Sequence, residues 1–308
     1  MNNNQLKISS FAKINPCLRI LGKRSDGYHE IDTILQTVSL HDELMFTPRE
    51  DQEVVLHCNV PDIPTGNTNL IIRAAEVLKG ITSKGRGVDV ELVKRIPAKG
   101  GLGGASSNAA VTILALNHLW NLRLKQSQLI DVGKALGSDV PFFFVGGCAR
   151  GTGRGEDVSA LPDVEKSHLI IITPNAKVST AYAYQALNAP SLTTQGSASI
   201  LSSSFAAPAF KDCDQRALHN DFEGVIFEIE PDIERARQAL LDAGAQGALL
   251  AGSGSSVFGI FDDEDDRERA LGSLKREGGW QIFSCDTLSR EEYSTSLISS
   301  GFPLFTLS

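Results

Sequence analysis

Cysteine is sparse and unpaired in this 308-residue chain: Cys17, Cys58, Cys148, Cys213 and Cys285 are odd in number, widely scattered and include no Cys-x-x-Cys pair. This argues against a disulfide framework or a structural zinc site, and predicts buried free thiols in a reducing compartment. An excess of basic residues is also missing. The net charge is −8, which disfavours general binding to nucleic acid or to an anionic membrane. Positive residues that meet an anionic ligand must then be few and well placed. No apolar run approaches membrane-spanning length. The stretch Met1 to Lys7 is polar and has no signal-peptide apolar core. Together these absences predict a cytoplasmic protein. Internal repeats are absent too. What is present is ordinary for a globular chain, 42% hydrophobic and 21% charged, with length for one large domain or two average ones.

Along the chain, Leu6 to Phe46 reads as strands with a hairpin-like connection, its turn signals at Gly22 and Ser25-Asp26-Gly27. A helix is predicted over Asn69 to Leu78, with Leu70, Ile71, Ala74, Ala75 and Leu78 on one side, and a half-buried strand over Val88 to Val93. Asn108 to Leu122 is apolar nearly all round, as in a helix buried on most faces. Ser127 to Leu136 reads as a helix ended by Gly137. A second unit starts near Leu161, giving domains 1–160 and 161–308. It contains a strand over His168 to Thr173, a helix over Ser179 to Leu187 capped by Ser179 or Thr180, and a Ser/Ala/Thr-rich loop over Ala189 to Ala207. A helix with proline in its first turn covers Pro231 to Ala243. Strands at Ala248 to Ala251 and Ser256 to Phe261, a helix at Asp263 to Arg276 and a strand at Trp280 to Ser284 complete a ferredoxin-like order. The tail is apolar at Ile298, Phe302, Leu304 and Phe305, as if to pack on the domain.

Chemistry concentrates in Pro97-Ala98-Lys99-Gly100-Gly101-Leu102-Gly103-Gly104-Ala105-Ser106-Ser107. A strand precedes these glycines and an apolar helix follows, so the loop can wrap its amides around phosphate and aim a helix N-terminus at the same anion. No Gly-Lys-Ser/Thr follows, which excludes a Walker A loop, and Ser106 stands where a dinucleotide fingerprint needs its third glycine. Lys99 adds a charge at the mouth. Of two further clusters, Gly252 to Ser256 reads equally as a turn or as a phosphate contact, whereas Gly151 to Gly155 reads first as a turn, with Arg154 able to help position phosphate.

Four other positions stand out. Asp139 lies beside the apolar run Phe142 to Val145, either as a desolvated carboxylate or as a turn residue. Lys13 and Asn15 share one face of an early strand, either as site residues or as a solvated face. Asp26-Gly27-Tyr28-His29 can hold a base by stacking and hydrogen bonding, or be a surface turn.

In combination these stretches resemble the GHMP kinase superfamily, whose loop runs Pro-x-x-x-Gly-Leu-Gly-Ser/Gly-x-Ser-Ser; Gly252 to Ser255 is similar to its third motif. The resemblance extends to about Phe261. Ala12-Lys13-Ile14-Asn15, Arg24 to His29, Leu102 to Ala110 and Leu136 to Phe142 are similar to the branch that acts on a CDP-linked methylerythritol. The resemblance implies an α+β two-domain fold, with an N-terminal ATP-binding domain like ribosomal protein S5 and a ferredoxin-like C-terminal substrate domain. It implies ATP and Mg2+, a small-molecule substrate, and transfer of phosphate to the substrate's 2-hydroxyl in non-mevalonate isoprenoid synthesis. It makes Asp139 the base and Lys13 its partner, and places Asn15, Tyr28, His29, Thr180 and Tyr184 at the substrate. Pro97, Lys99, Gly100, Gly101, Leu102, Gly103, Gly104, Ala105, Ser106, Ser107 and Asn69 fall at ATP, with Ser106 or Ser107 near Mg2+. Ala105 departs from a common glycine, which is tolerable at negative φ. Two alternatives stay open: a kinase of the homoserine or mevalonate type, and a nucleotide sensor without catalysis. The oligomeric state is not legible.

Overall fold

The computed structural model describes residues 5–81, 86–176, 178–187, 218–274 and 278–298. The Ser/Ala-rich stretch at 189–207, Cys213 and the last ten positions lie outside them.

Alternating apolar side chains draw Leu6–Lys23 (β1) and His29–Pro48 (β2) into one long antiparallel hairpin, paired from Leu6 with Phe46 to Lys23 with His29 with register shifts after Phe11, Ile14 and Ile20. Its turn is closed by the Arg24 N–H donating to the Tyr28 carbonyl, and Gly27 supplies the left-handed φ of 87°. Val54–Cys58 (β3) runs parallel to Val88–Val93 (β4), which pairs with the outer half of β2. Cys148–Thr152 (β5) pairs with the other stretch of β2, Thr33 to Gln36, and Asp157–Ala160 (β6) pairs with β5. His168–Pro174 (β7) begins the second sheet. The short His219–Asn220 (β8) returns to the first and runs parallel to β1, which makes that sheet seven-stranded among the described residues.

Helices Leu70–Ile81 (α1), Gly104–Leu119 (α2) and Gln126–Leu136 (α3) pack on this sheet in the largest core cluster. The central helix α2 is buried on most faces, from Ser107 and Asn108 to Leu116, as its uniformly apolar sequence requires. It starts four residues before the predicted Asn108, because the left-handed Gly103 is its N-cap. It stops at Leu119, ahead of left-handed Asn121 and Arg123.

The second sheet runs Trp280–Asp286 (β11), β7, Val257–Phe261 (β10), Gly247–Leu250 (β9), with every neighbour antiparallel. This is the predicted ferredoxin-like order. Among the described residues three helices, rather than the two predicted, join β7 to β9: Thr180–Ala186 (α4), Glu223–Ile229 (α5) and Pro231–Asp242 (α6). Glu264–Leu274 (α7) joins β10 to β11. Arg290–Ile298 (α8) then crosses back, and its Tyr293 and Leu297 are buried in the first core. A third apolar cluster, with Ala12, Ile14, Leu102, Ile171, Ala251 and Phe258, joins the two sheets. Of the four described thiols, Cys17, Cys148 and Cys285 are buried and free as predicted; Cys58 is only half-buried. No helix among the described residues is long and apolar enough to cross a membrane.

One buried ion pair shapes the approach to the glycine loop. Asp42 is fully buried; its Oδ2 lies 2.6 Å from Lys94 Nζ, and its Oδ1 accepts the Arg95 and Ile96 amides at 2.8 Å. Replacing Asp42 with alanine would leave a buried ammonium, the buried Ile96 amide and the part-buried Arg95 amide without their acceptor. The expected loss is about 3–5 kcal/mol of stability, read as a lowered urea midpoint.

Candidate active site

The loop after Ile96 alternates in backbone sign. Lys99, Gly101 and Gly103 are left-handed, with φ of 60°, 75° and 71°, while Gly100 and Leu102 between them are not. Such alternation turns successive N–H groups toward one side and makes an anion-binding hollow. Next comes the N-terminus of α2, whose first amides have no intrahelical acceptor and carry the positive end of the helix dipole. Leu102 anchors the cradle: its side chain lies in the inter-sheet core and its carbonyl accepts the Lys13 N–H at 3.0 Å. It offers a ligand only backbone. Gly252 to Ser256 backs the loop, with the Ser256 N–H donating to the Gly100 carbonyl at 3.1 Å and the Ser256 hydroxyl 2.7 Å from that of Thr173. A methyl group on Gly101 would run into the Ala251 carbonyl. The third glycine cluster is thus a wall for the first.

The two serines part company. Ser107 is fully buried and accepts the Ser10 hydroxyl proton at 2.7 Å, whereas Ser106 is half-buried beside Gly137. Ala105 lies in the first turn of α2 and outside the left-handed region, so its departure from glycine costs no strain. Asn69 caps α1: its Oδ1 accepts the Ile71 N–H at 2.9 Å and its Nδ2 donates to the Pro64 carbonyl at 2.7 Å.

Lys13 is not on a solvated face. It is 3% exposed and Asn15 is 2% exposed, because the second sheet and the glycine loop close over the inner end of β1. Lys13 Nζ donates to Asn15 Oδ1 at 2.7 Å and lies 3.5 Å from Asp139 Oδ2; Asn15 in turn donates to Thr33 Oγ1 at 2.8 Å. A methyl on Gly103 would meet Lys13 Cγ at 2.9 Å, and one on Gly252 would meet Lys13 Nζ at 3.3 Å. The buried cation thus sits where both glycine clusters converge. Asp139 is the N-cap of a 3-10 helix, Val140–Phe144, but its carboxylate makes no cap hydrogen bond. At 38% side-chain exposure it is open on one side and paired with Lys13 on the other. A carboxylate held this way can accept a proton from a hydroxyl, and the ammonium can stabilise charge on the same oxygen.

On the far side of Asp139 lies a small aromatic group. The His29 ring stacks on Tyr184 with centroids 4.8 Å apart and planes 22° apart, and Phe222 meets Tyr184 edge-on. Burial first, and the Asp139 charge second, push the Tyr184 hydroxyl up to about 12. Burial first, then Lys23, lower His29 below its ordinary range. Tyr28 is 56% exposed, and the Arg154 guanidinium lies 4.7 Å over its ring while pairing with Glu156. Arg154 is thereby at the aromatic end of the site. The hydroxyl of Thr180 bonds to Ser253 at 2.9 Å, and neither it nor that of Ser179 caps α4.

Several residues that complete the site were not singled out in the sequence. Asn220 holds the Leu250 and Gly252 carbonyls at 2.8 and 2.7 Å and fixes the Gly252 turn, while its Oδ1 accepts the Phe222 N–H. Asp221 accepts the Ile20 N–H at 2.6 Å. The signal was an Asn-Asp pair ahead of an apolar helix, the composition of an Asx turn.

Lys13, Asn15, Asp139, the glycine loop and the Gly252 turn form one site between the two sheets. The sequence matches the models for the GHMP kinases N terminal domain over residues 69–147 and GHMP kinases C terminal over residues 204–279. A crystal structure of homoserine kinase from Cytophaga hutchinsonii ATCC 33406 shares the fold, with a TM-score of 0.70 over 94% of this chain and 96% of that one at 18% identity. A crystal structure of 4-(cytidine 5'-diphospho)-2C-methyl-D-erythritol kinase superposes with a TM-score of 0.72 at 30% identity, covering 92% of this chain and 99% of that one. The chain is therefore a kinase of the GHMP class, with the α+β fold of that class. Within the class it belongs to the family of the 4-diphosphocytidyl-2-C-methyl-D-erythritol kinases: the relative of that name from Syntrophus aciditrophicus (strain SB) is 40% identical over 280 residues, 90% of this chain and 98% of the relative.

Proposed function

We propose that this kinase transfers the γ-phosphoryl group of ATP to the 2-hydroxyl of 4-diphosphocytidyl-2-C-methyl-D-erythritol. The observation that carries this is the buried Lys13 ammonium, 3.5 Å from Asp139 and packed against Gly103 of the anion cradle. Asp139 accepts the hydroxyl proton. Lys13 keeps Asp139 ionised and stabilises charge on the attacking oxygen and the transferred group. Asn15 holds Lys13 and orients the acceptor. The backbone from Lys99 to Ser106 receives the phosphates, Pro97 shapes the entry, and Asn69 fixes the α1 end beside the nucleotide. Catalysis is positioning and electrostatics, as in other phosphoryl transfers.

Among the described residues no group of three or more His, Cys, Asp or Glu is placed to hold a metal ion. Mg2+ fits this site as an ion carried chiefly by the phosphates, with the Ser106 hydroxyl as the protein's contribution. It supplies neutralisation of phosphate charge. Ser107, tied to Ser10, contributes only backbone. Residues 1–160 act as the ATP-binding domain and 161–308 chiefly as the substrate domain, with β8 and α8 returning to the first sheet and its core. An acidic chain acting on a soluble nucleotide-linked polyol belongs in the cytoplasm, without nucleic acid or membrane as partner.

The aromatic end favours a CDP-linked acceptor over homoserine or mevalonate, which have no base to stack. The stacked Tyr184 and His29 rings form the base platform, with His29 able to hydrogen-bond cytosine; exposed Tyr28 under Arg154 flanks it, and Thr180 closes the acceptor side. The test is a side-by-side rate measurement with the CDP-linked acceptor, homoserine and mevalonate. The first is expected to be preferred; preference for either of the others would overturn the choice of substrate. Replacing Tyr184 with alanine is expected to raise KM for the CDP-linked acceptor by about tenfold, the lower range for loss of one base–aromatic stack, while KM for ATP stays near the wild-type value.

A further inference from the structure

We infer that Tyr293 is a positioning residue for phosphoryl transfer, bracing from behind the two segments that carry Lys13 and Asp139. The inference rests on the function proposed above and deepens it. Tyr293 lies on α8, outside both segments matched by the family models, 69–147 and 204–279.

Three contacts converge on this side chain, which is 3% exposed. Its hydroxyl donates to the Phe143 carbonyl at 2.6 Å. That carbonyl belongs to the end of the 3-10 helix headed by Asp139, where backbone acceptors run out of intrahelical donors. Its ring lies against Gly146, left-handed at φ 65°, so closely that a methyl there would overlap it. The same ring meets Phe11 edge-on, with centroids 5.6 Å apart, and Phe11 shares the β1 face of Lys13.

Each contact leads to the reacting groups. Phe143, whose carbonyl Tyr293 holds, points its ring at the glycine loop: a methyl on Gly103 would meet Phe143 Cζ at 3.0 Å and Lys13 Cγ at 2.9 Å. The Lys13–Asp139 distance of 3.5 Å is longer than a charge-assisted hydrogen bond of about 2.7–2.9 Å. Its length thus depends on how the two segments are held, and Tyr293 touches the segment of Asp139 at Phe143 and that of Lys13 through the Phe11 ring. The helix is itself pinned: Arg290 Nη2 donates to the Cys148 and Leu161 carbonyls at 2.6 and 3.0 Å. Burial pushes the Tyr293 hydroxyl well above its ordinary range, so it stays a donor at any working pH.

Tyr293→Phe keeps the ring and removes only the bond to Phe143. Leu297→Ala, at a residue buried on the same helix, weakens the core and keeps the hydroxyl that holds the Phe143 carbonyl. Both full-length variants are compared with the wild type in kcat, in KM for ATP and the CDP-linked acceptor, and in urea midpoint. Tyr293→Phe is expected to lower kcat by about tenfold, a fraction of what a misplacement of about 1 Å costs, with both KM values unchanged. Leu297→Ala is expected to lower the urea midpoint at least as far and to leave kcat unchanged. A wild-type kcat in Tyr293→Phe, or an equal fall of kcat in Leu297→Ala, would overturn the inference. Should Tyr293→Phe not fold, Phe11→Leu decides: a lowered kcat at unchanged KM supports the brace, and a wild-type kcat refutes it. A wild type inert toward the CDP-linked acceptor counts against the proposed substrate alone. The variant-to-wild-type ratio is then taken on the acceptor the wild type does phosphorylate, or on ATP hydrolysis without acceptor.

Discussion

Replacing Asp139 with asparagine lowers kcat by about 100- to 10,000-fold, the usual worth of a positioned general base, and leaves KM for ATP near its wild-type value. Asparagine keeps the shape and can still meet Lys13, but cannot take a proton from the acceptor hydroxyl. The fold does not depend on this carboxylate: it makes no cap hydrogen bond and is open to solvent on one side. The loss therefore appears in turnover and not in the urea midpoint. Steady-state kinetics with ATP and the CDP-linked acceptor check it, and a variant with wild-type turnover would remove Asp139 from the mechanism.

Replacing Lys13 with methionine has the second large effect. Methionine fills the apolar part of the pocket between Gly103 and Gly252 but provides no charge. The expected fall in kcat is about 100- to 1000-fold, comparable to losing one preorganised electrostatic donor. Part of it comes from Asn15, whose Oδ1 loses its donor while its Nδ2 stays on Thr33. Lys13 and Asp139 act on the same oxygen, so the two losses are not independent. The double variant is expected to fall by less than the product of the single losses, because neighbouring groups in one network couple. A strictly multiplicative double variant would mean that the 3.5 Å contact has no energetic consequence.

How much of this was legible in the sequence depended on how local the cause was. The glycine loop was readable because strand, glycines and apolar helix follow one another within a short stretch, and the Leu6 to Phe46 hairpin because its turn residues and alternation are local too. The ferredoxin-like order followed from strand spacing, although the described residues add Glu223–Ile229 (α5) to the two helices expected between β7 and β9. Lys13 was only half legible. Alternation correctly put it with Asn15 on one face of β1, but that the face is buried depends on a second sheet more than a hundred residues away.

The same limit explains what was missed. The α8 sequence, Arg-Glu-Glu-Tyr-Ser-Thr-Ser-Leu-Ile, is mostly polar, and only Tyr293 and Leu297, one turn apart, mark its buried side. Asp42 carries no local mark of its role, which appears only once Lys94 and two amides are folded onto it. Only the family resemblance put Tyr28, His29 and Tyr184 together at the substrate; in the fold His29 stacks on Tyr184, and Arg154 lies over Tyr28. Distant partners decide these cases, and a single sequence carries no record of them.

The central claim is that a backbone cradle holds a triphosphate so that its last phosphorus faces a sugar-alcohol hydroxyl between Lys13 and Asp139. The most direct measurement is product analysis by phosphorus NMR after incubation of the full chain with ATP, Mg2+ and 4-diphosphocytidyl-2-C-methyl-D-erythritol. One new phosphate monoester at the 2-hydroxyl, formed in step with ADP, is predicted. ATP left unconsumed, or phosphate found on another hydroxyl, would contradict it.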